Sequence, residues 1–180
     1  EGYAYTEIPR GFTFLGRQKF LGLSNLFWVM ALVLLVTHYM FRHTVFGRRL
    51  LATGGNLEAA RLSGINTDRM LLSSHILSGG LAALAAVLWV SRMGSAQPAT
   101  GKDWLITSFA VAIVGGTGLA GGSISALGLL MGAFIIVLIK NGLVLLEANV
   151  YYEQAFLGSI ILLAVVVSRL RDIYDERLER

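Results

Sequence analysis

Few side chains in this sequence are placed for catalysis or for metal binding. His38 and His75 each lie alone in an apolar stretch, and neither has a His, Asp or Glu at the spacing of a metal ligand. No Ser/His/Asp or paired-carboxylate arrangement is evident, because the apolar stretches contain hardly any acidic residue. The chain has no Cys, which excludes disulfide bonds and thiolate metal sites. We therefore expect no catalytic residue, no metal site and no bound cofactor.

One Gly-rich segment formally matches a nucleotide-binding motif. The string "GTGLAG", residues 116–121, has the G-x-G-x-x-G pattern, but a dinucleotide site requires a preceding strand and an acidic residue about 20 positions later. Here an apolar helical pattern precedes the motif, and Lys140 lies near that spacing. The glycines, among them Gly116 and Gly118, instead predict closely packed backbone or an unwound helix that lines a cavity. Irregular backbone is tolerated in a membrane only against protein or water.

Polar and small residues also mark the apolar run at residues 124–146. Lys140 and Asn141 interrupt it, and ionisable residues inside a membrane are costly and often functional. The alternative is a snorkelling lysine beside a local kink. The string "GLLMG", residues 128–132, is a G-x-x-x-G motif, which predicts close packing of helices. This packing is either within the chain, which we favour, or between two copies.

The composition indicates which elements position these residues. Hydrophobic residues make up 55% of the chain, charged residues 14%, and the mean hydropathy is +0.66. Helical apolar runs of ~20 residues span the ~30 Å hydrocarbon layer of a membrane. The sequence therefore predicts an all-α, polytopic membrane protein with about five membrane segments in one domain, residues 1–180. The segments are residues 24–41, 71–90, 104–122, 124–146 and 155–168.

Two regions are less regular. Residues 104–122 either cross the membrane fully or form a broken or re-entrant helix, because their last third is rich in glycine. Residues 1–22 are mixed in character and are expected to form a loop with little regular structure.

The charges predict the orientation of the chain. The net charge is +4, but the basic residues are scattered at the ends of apolar segments and form no clustered face for nucleic acid. Residues 42–69 contain the densest basic segment, and Lys and Arg collect on the cytoplasmic side of membranes. Residues 1–22 and 92–103 then lie outside, and the charged tail, residues 169–180, lies inside.

Within that basic segment, residues 54–65, "GGNLEAARLSGI", predict a short exposed helix. Asn56 is a good N-cap, and Glu58 follows in the first turn, where an anion suits the helix dipole. Gly64 is a natural C′ residue in the left-handed conformation. Asn66 or Thr67 can cap the next helix. A helix of about two turns is marginal alone, so a partner or a membrane surface must support it.

Several strings carry a resemblance to a known family. The string "EAARLSG", residues 58–64, fits the EAA-x-x-x-G pattern of the coupling helix of bacterial ABC importer permeases. The longer string "GRRLLATGGNLEAARLSGIN" is more specific, and the likeness continues through "SRMGSAQPATG", "VGGTGLAGG" and "KNGLVLL". From about Trp28 to the tail, the chain resembles the permease subunits of bacterial monosaccharide ABC importers of the ribose and xylose type. It begins with Glu1 and resembles their C-terminal half.

The resemblance implies a multi-pass permease of the bacterial inner membrane with a cytoplasmic C-terminus. Two permease subunits, identical or different, form the path. A cytoplasmic ABC ATPase docks on each coupling helix, and a periplasmic sugar-binding protein delivers the cargo. Hydrolysis then belongs to the ATPase, so we do not expect this chain to be an enzyme. The matched motif assigns ATPase coupling to Glu58, Ala59, Ala60 and Gly64, the small alanines permitting close approach to a groove wall. Arg61 and Leu62 lie within the motif and are further candidates for coupling, but the motif gives them no individual role.

The same resemblance suggests further sites. Asn141, with Gly116 and Gly118, is a candidate lining of the sugar path. Four charged residues in outer loops are candidates for docking of the binding protein, or else belong to hydrated loops. They are Lys102, Asp103, Glu147 and Glu153. Related permeases also carry autoinducer-2 or nucleosides, so the cargo stays open. An ion-coupled secondary transporter would require acidic residues within the spans, and none is evident.

Overall fold

The structure is a computed structural model that describes residues 10–117, 121–147, 152, 154–163 and 166. The chain divides into two compact units, Glu1–Lys102 and Asp103–Arg180. Helices α1 to α4 are Arg10–Arg17, Asn25–His43, Val45–Gly55 and Leu57–Leu62. Helices α5 to α8 are Thr67–Met93, Trp104–Val114, Ala126–Leu145 and Gln154–Leu163. Two short strands, β1 (Lys19–Phe20) and β2 (Leu23–Ser24), form an antiparallel hairpin.

Within the described residues, three helices are long and apolar enough to cross a membrane: α2, α5 and α7. The prediction of helical membrane segments is confirmed for these three. Helix α6 has 11 residues and is therefore only about 16 Å long, which is too short for the ~30 Å hydrocarbon layer. Of the two interpretations of residues 104–122, the structure favours the shorter, broken helix. The predicted count of five segments is not confirmed.

In the first unit, helix α3 follows α2 directly and was not predicted. Thr44 separates the two helices, and its hydroxyl oxygen accepts a hydrogen bond from the backbone N–H of Gly47 at 3.1 Å. A Cβ atom at Gly47 would lie 2.5 Å from the Cα of Phe41, so the two helices touch through backbone. The helix was not predicted because its sequence, "VFGRRLLATGG", contains three glycines and has no clear apolar periodicity.

The N-terminal region is also more regular than predicted. Residues 10–24 form α1 and the β1–β2 hairpin instead of an irregular loop. Leu21 and Gly22 at the hairpin tip have φ values of 52° and 83°, as a type I′ turn requires. The indole N–H of Trp28 donates to the backbone oxygen of Phe20 at 3.2 Å, which holds the hairpin against α2. Helix α1 is also held by hydrogen bonds with Ser91 and Arg92, which are distant in sequence.

In the second unit, α6 and α7 pack against each other through glycines. A Cβ atom at Gly132 would lie 2.5 Å from the backbone oxygen of Val111, and one at Gly115 would lie 2.7 Å from that of Gly128. The G-x-x-x-G motif thus packs within the chain, which confirms the favoured interpretation. The pairing of residue 111 with 132 and of 115 with 128 shows that the two helices are antiparallel. Ala110, Ile136 and Leu157 form the buried core of this unit.

Candidate functional site

Helix α4 is a six-residue helix with a complete cap at each end. The side-chain oxygen of Asn56 accepts a hydrogen bond from the backbone N–H of Ala59 at 2.9 Å. At the other end, Gly64 has a φ of 77°. The N–H of Ile65 donates to the oxygen of Ala60, and that of Gly64 to the oxygen of Arg61, both at 3.0 Å. This is the Schellman pattern, and the predicted N-cap and C′ glycine are both confirmed.

The residues of the EAA-like motif divide between two faces of α4. Ala60 is buried, with 4% of its surface exposed, so it supports the helix from inside the unit instead of facing a partner. Leu62 is 85% exposed although it is a large apolar residue. Glu58 and Ala59 are also exposed. The helix therefore has a supported face and an open face, and the open face includes a leucine.

Arg61 connects α4 to the first turn of α5. Its Nε donates to the hydroxyl oxygen of Thr67 at 3.4 Å, and its Nη2 lies 3.6 Å from a carboxylate oxygen of Asp68. Because both charged side chains are largely exposed, the ion pair contributes little to stability. Thr67, by contrast, is 2% exposed, and Asn66 caps α5 by accepting from the N–H of Arg69 at 3.1 Å. Of the two residues predicted as candidates for the N-cap of α5, Asn66 is the cap and Thr67 is the first helical residue.

Replacing Asn56 with alanine is expected to destabilise α4 by about 1 kcal/mol, because the N–H of Ala59 loses its acceptor. Hydrogen exchange of the α4 amides in the membrane-embedded permease measures this change. Asn56→Asp keeps an acceptor at the same position and is the matched control. If exchange in Asn56→Ala and Asn56→Asp is equally slow, the side-chain cap does not stabilise α4.

The first residues of the Gly-rich segment, Gly115 and Gly116, end helix α6. Gly116 has a φ of 75°, and no atom lies within 4 Å of a Cβ built at this position. The hydroxyl oxygen of the next residue, Thr117, is buried and has no hydrogen-bond partner among the described residues. Gly118 lies outside the described residues. A helix and not a strand precedes the motif, so the described part of the motif lacks the context that a dinucleotide site requires.

A line of polar side chains lies at the start of α6 and was only partly predicted. Lys140 donates from Nζ to the hydroxyl oxygen of Thr107 at 3.1 Å, and that hydroxyl donates to the backbone oxygen of Asp103 at 3.0 Å. Gln154 donates from Nε2 to a carboxylate oxygen of Asp103 at 3.0 Å. The sequence indicated Lys140 and Asp103 but missed Thr107 and Gln154. Thr107 lies one helical turn after Asp103, which is the signal that could have indicated it.

The remaining predicted residues are placed as follows. Asn141 is exposed on α7, which continues through residues 140–142 as a regular helix to Leu145. The polar residues therefore do not interrupt the helix. Lys102 and Glu147 are exposed, and Glu147 has a φ of 53°. Glu153 and the basic tail lie outside the described residues.

Comparison with known proteins decides the family. The family model described as the permease component of branched-chain amino acid transport systems matches residues 2–165. The chain belongs to this permease family. Together with the three long apolar helices, this makes the permease a multi-pass inner-membrane protein. No solved structure gives a significant match.

Similar relatives are permeases named for pentoses. The ribose import permease protein RbsC of Escherichia coli (strain K12) is 40% identical over 163 residues, which are 91% of this chain and 51% of the relative. The xylose transport system permease protein XylH of the same strain is 41% identical over 137 residues, covering 76% and 35%. RbsC of Bacillus subtilis (strain 168) is 38% identical over 159 residues, covering 88% and 49%. The permease thus spans about half the length, or less, of these relatives.

Proposed function

We propose that the permease is the membrane subunit of an ATP-driven ABC importer that carries a monosaccharide such as ribose or xylose into the cell. The supporting observation is α4, a short helix capped at both ends and supported by Ala60, with Leu62 exposed beside charged residues. Its sequence has the EAA-x-x-x-G pattern of a coupling helix. The similarity to permeases named for ribose and xylose supports the choice of cargo. Autoinducer-2 or a nucleoside is the alternative cargo.

The geometry of α4 suits contact with a moving partner. A helix of six residues is not stable by itself, and here its capping bonds and its contacts with neighbouring helices hold it. The exposed Leu62 is available for burial in a groove of a cytoplasmic ATPase. Arg61 links α4 to α5, so displacement of α4 is passed to a long helix. Hydrolysis occurs in the ATPase, and this chain is a transport subunit rather than an enzyme.

The remaining partners follow from the orientation. With residues 42–69 on the cytoplasmic side, the C-terminus is also cytoplasmic, and Asp103 with its neighbours lies on the periplasmic side. There Lys102, Asp103, Glu147 and Glu153 contribute to docking of a periplasmic sugar-binding protein. A second permease subunit completes the path across the membrane. The short helices α6 and α8 belong to the remaining two membrane segments, with α6 as a broken or re-entrant helix.

The substrate path runs along the polar side of the α6–α7 pair. Asn141 lies beside Lys140, whose ammonium group already binds the Thr107 hydroxyl. Amide, hydroxyl and ammonium groups all form hydrogen bonds with sugar hydroxyls. At the far end of α6, a Cβ built at Gly116 meets no atom within 4 Å, so the backbone there is open, and Gly118 is included in the path from its place in the sequence. Contacts along such a path must be weak enough to release the sugar.

Replacing Asn141 with leucine is expected to lower sugar transport and sugar-stimulated ATPase activity of the assembled transporter by about tenfold, the cost of one lost hydrogen bond in a polar site. Uptake of labelled ribose or xylose into proteoliposomes measures it. Gly142→Ala is the control, since a Cβ at Gly142 meets no atom within 4 Å. Wild-type transport by Asn141→Leu removes Asn141 from the path.

Crosslinking tests the proposed function directly. The chain has no Cys, so a cysteine placed at Leu62 is a unique reactive site within it. We expect Leu62→Cys to form crosslinks with the ATPase subunit, and Leu35→Cys, on the apolar helix α2, to form none. The proposal of an ATP-driven importer is contradicted if Leu62→Cys forms no crosslink with the ATPase subunit. It is also contradicted if a membrane-impermeant reagent added from the periplasmic side modifies Leu62→Cys.

A further inference from the structure

Helix α5 touches a different element at each of its ends. It has 27 residues and is therefore about 40 Å long, which exceeds the ~30 Å hydrocarbon layer. At its N-terminal end it contacts α4, and at its C-terminal end it contacts α1. If α5 crosses the membrane, α1 and α4 lie on opposite sides.

The contact between α1 and the C-terminal end of α5 is tight. Ser91 is fully buried, and its hydroxyl donates to the backbone oxygen of Phe12 at 2.7 Å. A Cβ atom built at Gly16 would lie 2.5 Å from the backbone carbon of Ser91 and 2.7 Å from the Cα of Arg92. There is no room for a side chain at Gly16, so the backbones of the two helices are in direct contact.

Arg17 completes this contact by capping α5. Its Nε donates to the backbone oxygen of Arg92 at 3.1 Å, and its Nη2 donates to that of Met93 at 3.0 Å. The last carbonyl groups of a helix have no partner within the helix, and a cation there also suits the helix dipole. Gly94, with a φ of 71°, leaves space that the guanidinium occupies, since a Cβ there would lie 2.6 Å from Nη2. A side chain of α1 thus satisfies the end of α5.

We propose that Arg17 and Ser91 are positioning residues that hold α1 on the far end of α5, so that α1 moves with α5 when the ATPase displaces α4. The inference rests on the proposed function. Arg61 makes the connection at the α4 end, through Thr67 and Asp68. Because α5 is one continuous helix, a displacement at one end reaches the other without a flexible joint. α1 is then the periplasmic element that responds to the state of the ATPase.

Coupling of the two sides of the transporter tests this inference. The full-length permease, assembled with its ATPase, is reconstituted in proteoliposomes, and the ratio of binding-protein-stimulated to basal ATPase activity is measured. The Arg17→Met, Ser91→Ala double variant loses the three hydrogen bonds described above, and we expect it to lower this ratio by at least about tenfold, the factor that already matches loss of a single hydrogen bond to a charged group. Arg17→Lys keeps a cationic hydrogen-bond donor, so this variant should retain part of the stimulation by the binding protein.

Matched controls are available on the same elements. Ser73→Ala removes a hydroxyl from α5 whose hydrogen bond is to Arg69 of the same helix, and Lys19→Ala removes an exposed cation near α1. Both should leave the ratio at the wild-type value. A double variant with the wild-type ratio would overturn the inference.

A distance measurement provides a second test. Phe14 on α1 and Val87 on α5 are exposed, so spin labels on cysteines at these positions report whether the helices stay together. We expect one narrow distance distribution in the wild-type background and a broad one in the double variant. Equal, narrow distributions would overturn the inference. A wild-type transporter without any ATPase response to the binding protein would instead contradict the proposed function, and the label distance would decide the α1–α5 contact by itself.

Discussion

Gly132→Leu is expected to abolish transport and to lower the free energy of unfolding by about 2–3 kcal/mol, the upper range for overpacking a tight contact. Gly132 is buried in the α6–α7 interface, where even a Cβ atom would lie 2.5 Å from the oxygen of Val111 and 2.8 Å from the nitrogen of Gly115. Because those atoms belong to backbone, they cannot rotate away, and α6 must separate from α7. Uptake of labelled sugar and thermal unfolding in detergent measure the two effects.

Gly142→Ala is the control for this substitution on the same helix. A Cβ at Gly142 meets no atom within 4 Å, and alanine is a better helix former than glycine by about 1 kcal/mol. We therefore expect Gly142→Ala to unfold at the same or a higher temperature than the wild type and to transport normally. Normal transport and stability in Gly132→Leu would mean that the close α6–α7 contact is not maintained in the membrane.

Leu62→Ala is expected to weaken association with the ATPase about 30-fold, which corresponds to the loss of about 2 kcal/mol at an interface hot spot. Leu62 is 85% exposed and the described contacts of α4 do not bury it, so its truncation should leave the folded permease unchanged. An exposed leucine on a short polar helix gains free energy only when a partner covers it. Binding of the purified ATPase to permease in nanodiscs measures the association.

Leu35→Ala provides the comparison for Leu62→Ala. Leu35 is of the same residue type and is 65% exposed, but it lies in the apolar helix α2. Its truncation should leave ATPase binding at the wild-type level. If Leu62→Ala binds the ATPase as tightly as Leu35→Ala does, α4 does not use Leu62 for docking.

The caps of α4 and the N-cap of α5 could be predicted from the sequence because they depend on neighbouring residues. Asn56 and Asn66 each accept a hydrogen bond from an N–H three residues ahead, and Gly64 adopts a backbone angle that other residues avoid. The long apolar helices were predicted for a similar reason, since composition alone identifies them. These features require no knowledge of what lies beside each helix.

Features that depend on distant contacts were predicted poorly. Helix α1 is ordered by Ser91, which is 79 residues away from its partner Phe12. The polar line at α6 joins Lys140 to Thr107 across 33 residues. The G-x-x-x-G motif indicated close packing, but only the structure identified Gly115 as its counterpart. A sequence pattern shows that one face of a helix carries small or polar residues, but it does not show which other element packs against that face.

The length of α5 also has a consequence for the lipid environment. The helix is about 40 Å long, but its apolar part, residues 71–90, is about 30 Å long and matches the hydrocarbon layer, so that its polar ends project from the layer. A host membrane with shorter or longer acyl chains creates a hydrophobic mismatch with this apolar part. Thinner bilayers would increase the tilt of α5 and thicker ones would reduce it. Since its two ends hold α4 and α1, the thickness of the host membrane is expected to shift the resting positions of both.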